Sequence, residues 1–214
     1  MSGSERPSFS GALAVGRKLD LPLLDSPAVR DAYAHAEAES QPWLFNHVMR
    51  SWLYNDAWIT ANGAQMVARA WTDPEYRARM LVDGTAAARE LGFEFPEHHR
   101  NLVVLENTAT VHNVIVCTLC SCTAYTIIGA APDWYKDLDY RARVVRESRT
   151  VLREMGLDLP ATTEIRVWDT TADTRYMVLP MQPAATIGWP VQKLATIVTQ
   201  DSMIGVTRLE QVKG

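Results

Sequence analysis

Two rhythms of hydrophobic and polar positions run along this chain, and the change from one to the other divides it. From Leu21 to about Asn62 the apolar positions recur with helical spacing, but Pro22, Pro27 and Pro42 interrupt them, and Trp43, Phe45, Trp52, Tyr54 and Trp58 crowd the segment. Aromatic side chains on short helices need a surface to cover, so residues 1–60 are expected to form a helical arm that faces a partner. Beyond it, Ala64 to Trp71 reads as a helix, and the start signal Asp73-Pro74, with Glu75 in the first turn, predicts a second from Tyr76 to Leu91, stopping at Gly92. Leu102–Leu105 and Val111–Val116 are β-rich, Tyr140 to Met155 is helical and ends before Gly156, and Glu164–Trp168 and Arg175–Leu179 read as strands on either side of the turn-like Asp169 to Asp173. Pro190 to Thr199 reads as a last helix. Residues 61–214 are thus expected to form one α+β domain, with helices beside a small sheet system.

Composition narrows the partners more than it names them. With 214 residues, 47% of them hydrophobic, and no apolar run of bilayer length, the chain can bury a core without spanning a membrane. Its net charge of -4 comes from interspersed acids and bases, so no basic stripe points to nucleic acid and no polybasic block to a membrane surface. Met1 to Arg17 lacks the apolar centre of a secretory signal, which predicts a cytoplasmic location.

The cysteines change the picture. All three fall between Cys117 and Cys122, directly after a predicted strand, so they cannot staple distant parts of the fold. The three side chains of C-x-x-C-x-C converge only if the backbone curls around a point, which brings the amides between the later cysteines close to it as well. Thiolates and backbone nitrogens together suit a trivalent cobalt or iron ion far better than calcium or magnesium. Two other readings stay open at this level: structural zinc completed by His112, or by His98 or His99, and a redox thiol cluster without metal.

The stretch Val103-Val104-Leu105-Glu106-Asn107-Thr108, followed by Val111-His112-Asn113-Val114-Ile115-Val116-Cys117-Thr118-Leu119-Cys120-Ser121-Cys122, resembles the metal-binding region of nitrile hydratase α subunits. So do Pro132-Asp133-Trp134-Tyr135-Lys136, Ile165-Arg166-Val167-Trp168-Asp169, Arg175-Tyr176-Met177-Val178-Leu179-Pro180 and Gln200-Asp201-Ser202-Met203-Ile204-Gly205-Val206, and the likeness runs from about Asn62 to Val206. It implies a layered α-β-β-α catalytic domain after the arm. It also implies hydration of a nitrile to an amide at a non-corrin Co(III) centre. Cys117 would supply an axial thiolate. Cys120 and Cys122 would supply equatorial sulfurs oxidised to sulfinic and sulfenic acid, and the backbone nitrogens of Ser121 and Cys122 would complete the set. On this resemblance Cys120, Ser121 and Cys122 form the catalytic group, and Thr118 marks the cobalt rather than the iron (Fe3+) type. Partners follow too: a β-type subunit whose arginines answer the oxidised sulfurs, and an activator or metallochaperone that loads cobalt.

Departures from the family bear on the substrate. Family members follow the last cysteine with Tyr-Pro-Trp-Pro, whereas this chain has Thr123-Ala124-Tyr125-Thr126; a family glutamine falls near His98, and a glutamate is replaced by Asp173, two residues before Arg175. Tyr125 and His98 are therefore assigned to the substrate pocket, and Asp173 and Arg175 to the support of the loop. A larger, polar nitrile of the toyocamycin (nucleoside) type fits that wall. Arg166 is expected to share the buttressing with Arg175, while Arg141, Arg143, Arg146 and Arg149 are assigned to a solvated or subunit-facing helix surface. The alternatives are a thiocyanate hydrolase catalytic subunit and a non-catalytic metal-binding or delivery protein.

Overall fold

The computed structural model describes residues 61–95, 101–120 and 122–209, and the single helical position Ala34. Apart from Ala34 these belong to the unit Ile59–Gly214. The expected arm at 1–60 lies outside the described residues.

Helix α1 covers residues 61–72, and helix α2, Pro74–Val82, follows after Asp73, whose carboxylate accepts hydrogen bonds from the amides of Glu75 and Tyr76. The single helix expected to reach Leu91 is instead two. Asp83 adopts an extended conformation (φ -144°, ψ 94°) and caps helix α3, Gly84–Glu90, by accepting from the Ala86 amide. An aspartate that can satisfy free helix-end amides stabilises such a break. Gly84 permits it sterically, since a Cβ there would come within 2.6 Å of the Leu102 carbonyl oxygen.

Four strands are present among the described residues: β1 (Asn101–Glu106), β2 (Val111–Val116), β3 (Glu164–Asp169) and β4 (Thr174–Leu179). Strand β1 pairs with β4 and β2 with β3, both parallel, so neither pair is joined by a tight turn. The short links at 107–110 and 170–173 each carry the chain from one sheet to the other. Parallel partners require a long crossover. The one between β2 and β3 holds three helices: α4 (Tyr125–Ile128), α5 (Asp133–Lys136) and α6 (Leu138–Glu154). The expected last helix is shorter, as α7 (Val191–Ala195), and a further helix that was not expected, α8 (Gln200–Ile204), follows it.

Helices α2 and α3 pack on β1, the two sheets meet face to face, and α6 packs on β3 and β2, which is an α-β-β-α stack. Met66, Val67, Tyr76, Met80, Val114, Val116, Met177, Leu179, Val144 and Leu152 fill it and are almost wholly buried. Helix α6 breaks at Glu147, which leaves helical geometry (φ -138°, ψ 43°). Arg143 hydrogen-bonds Glu147 at 2.7 Å and Glu154 at 2.8 Å. On a straight helix residues 143 and 154 would stand about 16 Å apart along the axis, so the bend is what lets them meet. No helix among the described residues is long and apolar enough to cross a membrane.

Polar pins lock the sheets. Buried His112 faces Asn107 through Nδ1 (3.1 Å) and the Gly205 carbonyl through Nε2 (2.8 Å), while the Asn113 side-chain amide donates to the Glu106 carbonyl and its oxygen accepts from the Trp168 indole. Gly205 ends α8 in the left-handed region (φ +93°), and a Cβ there would lie 2.0 Å from the Asn113 carbonyl oxygen. Gly205→Ala is accordingly expected to lower stability by at least about 2 kcal/mol, read as a drop in Tm, because both backbone strain and a backbone clash must be relieved.

Candidate metal centre

Strand β2 delivers the site. Its apolar run Val114-Ile115-Val116 is buried between layers, so the residue after it, Cys117, is held in the core at 1% exposure. The chain then turns sharply over residues 118–120 and brings Cys120 and Cys122 back toward Cys117, one exposed and the other half-buried. The Sγ atoms of Cys117 and Cys120 lie 3.4 Å apart and those of Cys120 and Cys122 2.7 Å apart, with all three within 4.8 Å of one another. All three are free thiols.

Hydrogen bonds, not packing, shape this turn. The Cys120 amide donates to the Cys117 sulfur at 3.4 Å. The Asp169 carboxylate accepts from the Thr118 amide (3.0 Å) and hydroxyl (2.5 Å), and Arg141 donates to the Thr118 carbonyl (2.7 Å). The buried Tyr135 phenol donates to the Cys122 carbonyl at 3.3 Å, and Tyr140 donates to the Ile115 carbonyl at 3.1 Å. Asp169 is available because the β2–β3 register sets it opposite Val116, the last strand residue before the loop.

The sulfurs are electrically unequal. Burial opposes ionisation of Cys117, but amides of Cys120, Cys122 and Leu119 aimed at its sulfur outweigh that and lower its pKa. Burial, reinforced by the Cys120 thiol beside it, pushes Cys122 up to about 11, with the Arg175 charge acting in the opposite sense. Three thiolates in so small a volume repel one another, so full deprotonation requires a cation among them. The donor set therefore fits a thiophilic transition metal and not calcium or magnesium. Zinc in its usual four-ligand form finds no fourth side chain among the described residues: the cluster holds the three cysteines alone, and His112 has both ring nitrogens committed in the core.

The other predicted site residues are distributed as follows. Ser121 and His98 lie outside the described residues. Tyr125 is half-exposed and opens α4 three positions after Cys122. Arg175 is buried at 6% exposure, and its Nη1 donates to the carbonyls of Thr171, Ala172 and Thr174. Asp173 is exposed, and its backbone carbonyl accepts from the Asn101 amide. The structure sorts the remaining arginines differently from the expectation. Arg166 points away on β3 and pairs with Glu164 of its own strand, whereas Arg141 reaches the cysteine loop and Arg149 holds the carbonyls of Leu159, Pro160 and Thr163. Asp169, Arg141 and Tyr135 were not singled out as site residues from the sequence, since their closeness to the loop depends on pairing and packing across 51, 23 and 13 residues.

Fold and loop together define an α-β-β-α domain carrying, at the end of a buried parallel strand, a three-sulfur cluster able to hold a metal ion. The pattern of the family described as nitrile hydratase, alpha chain, matches residues 46–207. The chain is 49% identical over 145 residues to the cobalt-containing nitrile hydratase subunit alpha of Pseudonocardia thermophila, covering 67% of this chain and 71% of that one. It is 44% identical over 153 residues to the thiocyanate hydrolase subunit gamma of Thiobacillus thioparus, covering 67% and 63%. A double mutant of the Fe-type nitrile hydratase from Comamonas testosteroni Ni1 superimposes with a TM-score of 0.75 at 49% identity, over 94% of this chain and 92% of that one. The chain belongs to the nitrile hydratase alpha-chain family.

Asp169→Asn keeps the size of the side chain and removes its charge from Thr118. It is expected to cost about 1 kcal/mol of stability, modest because the pair is exposed, and to speed metal loss to a chelator several-fold. Calorimetry and a timed chelator challenge measure the two effects.

Proposed function

We propose that this chain is the metal-carrying subunit of a nitrile hydratase, acting in the cytoplasm and converting a nitrile to its amide. The observation that carries the proposal is the convergence of Cys117, Cys120 and Cys122 within 4.8 Å in a chain of this family. These sulfurs, with the backbone nitrogens of Ser121 and Cys122, would hold cobalt as Co3+. When bound, the ion supplies Lewis acidity toward nitrile or water.

The chain's own residues supply the rest. Cys120 and Cys122, oxidised to sulfinic and sulfenic acid, would carry negative charge beside the substrate, and Cys122, half-buried and within the field of Arg175, would act as nucleophile or base. Asp173 belongs to the same supporting loop by its place before Arg175. Oxidised sulfurs in a dry site need cationic donors, which assigns arginines to a β-type partner subunit, with the arm at 1–60 facing that partner. A dedicated activator would load the cobalt. The wall made by Thr123 to Thr126, with Tyr125 and His98, is more polar than a Tyr-Pro-Trp-Pro wall. It suits a larger, polar nitrile such as a nucleoside nitrile of the toyocamycin type.

A second reading, a thiocyanate hydrolase catalytic subunit, is favoured by the likeness to the Thiobacillus thioparus chain. One experiment separates the readings: intact mass, elemental content and substrate assay of the chain co-expressed with its partner in cobalt medium. The expected result is cobalt in stoichiometric amount, a mass gain of three oxygens, and turnover of a polar nitrile. Consumption of thiocyanate with all nitriles inert selects the second reading. Bound metal with no activity toward either makes the chain a metal-delivery protein, and iron in place of cobalt reverses the metal assignment.

A further inference from the structure

We propose that Arg141 is a positioning residue for the cysteine loop, acting with Asp169 to immobilise Thr118 between the first and second sulfurs; its bearing on metal chemistry rests on the function proposed above. Thr118 has three hydrogen-bonding groups, and all are held. Asp169, at the end of β3, takes the amide at 3.0 Å and the hydroxyl at 2.5 Å, and Arg141, from α6, takes the carbonyl at 2.7 Å. The next residue, Leu119, is 85% exposed, so no apolar anchor fixes the turn. Orienting the Thr118 carbonyl sets the peptide plane between Thr118 and Leu119, and with it the direction from which Cys120 comes to 3.4 Å from Cys117.

Arg141 is placed at a cost that packing does not explain. Among the described residues its guanidinium makes no ion pair, and its Nε is buried without a hydrogen-bond partner. A donor buried without a partner is unfavourable, yet the fold accepts it to hold one carbonyl. Its neighbours on the same helix serve α6 itself: Arg143 binds Asp139, Glu147 and Glu154, and the Arg146 Nε donates to the Ala142 carbonyl. The path of α6 aims Arg141 at the loop, because Tyr140 beside it is tied to the Ile115 carbonyl and Val144 is wholly buried.

The test compares the full-length wild type with Arg141→Met, Arg141→Lys and Arg146→Met. In metal-free protein, alkylation of Cys117 by iodoacetamide is followed by mass spectrometry; in cobalt-loaded protein, metal content and the position of the sulfur-to-metal charge-transfer band are read. Arg141→Met is expected to alkylate at Cys117 about tenfold faster, the effect of losing one charge-assisted hydrogen bond, and to shift the band. Arg141→Lys, which keeps a donor, recovers most of both, and Arg146→Met matches wild type. Wild-type alkylation rates and an unmoved band in Arg141→Met overturn the assignment, as does an equal effect of Arg146→Met. Should Arg141→Met fail to fold, Arg141→Gln, polar but too short to reach the carbonyl, takes its place with the same two outcomes. A wild-type chain that binds no cobalt would sink the metal reading alone, while the alkylation rates still decide whether Arg141 orders the loop.

Discussion

Mutual repulsion among three sulfurs is the constraint around which this domain is arranged. Thiols held within 4.8 Å of one another cannot all ionise unless positive charge joins them, and the loop has no apolar side chain turned inward to hold it shut. The fold answers with directed hydrogen bonds. Amides point at the Cys117 sulfur, a carboxylate and a guanidinium grip Thr118, and a buried phenol reaches the Cys122 carbonyl. Each of these groups comes from an element whose own position is set by the hydrophobic stack, so the core's contribution to the site is to aim polar groups.

Much of this was legible in the residues. The clustering of Cys117, Cys120 and Cys122 after a strand pointed to a metal loop, and the run of motifs from about Asn62 to Val206 pointed to the family. The β-rich segments fall where the strands do, because Leu102–Leu105 and Val111–Val116 carry apolar residues that only a buried strand accommodates so close to a turn. What stayed hidden was partnership. Nothing local in Val116 or Asp169 announces that they are neighbours in a parallel ladder, and nothing in Arg141 distinguishes it from Arg143 or Arg146 until the bend of α6 is known. Helix boundaries failed for a different reason. Asp83 and Gly84 read as tolerable helix residues, yet the contact with Leu102 favours a break, a tertiary preference overriding a local one.

Arginine has three distinct uses in the same short region. Arg143 ties together carboxylates on either side of a bend, Arg149 gathers backbone carbonyls before β3, and half-buried Arg141 and buried Arg175 have no carboxylate partner among the described residues. The last two flank the loop that is read as carrying oxidised, anionic sulfurs, one bonded to Thr118 and the other acting on Cys122 through its field. Cations left unpaired by acids are what such sulfurs require, and two lie on this chain itself.

The switching of every tight strand link from one sheet to the other has a consequence for how the molecule comes into being. Because no tight link joins two paired strands, the cysteine loop meets its farthest supports only across long stretches of chain: Asp169 is 51 residues beyond Thr118, and Gly205, which locks His112 on the strand leading into the loop, is 93 residues further along than its partner. A fold of such high contact order closes slowly. During synthesis the loop must therefore wait, its thiols unshielded, until nearly the whole domain has left the ribosome. Capture of an ion in its final geometry is correspondingly a late step, made on a finished chain.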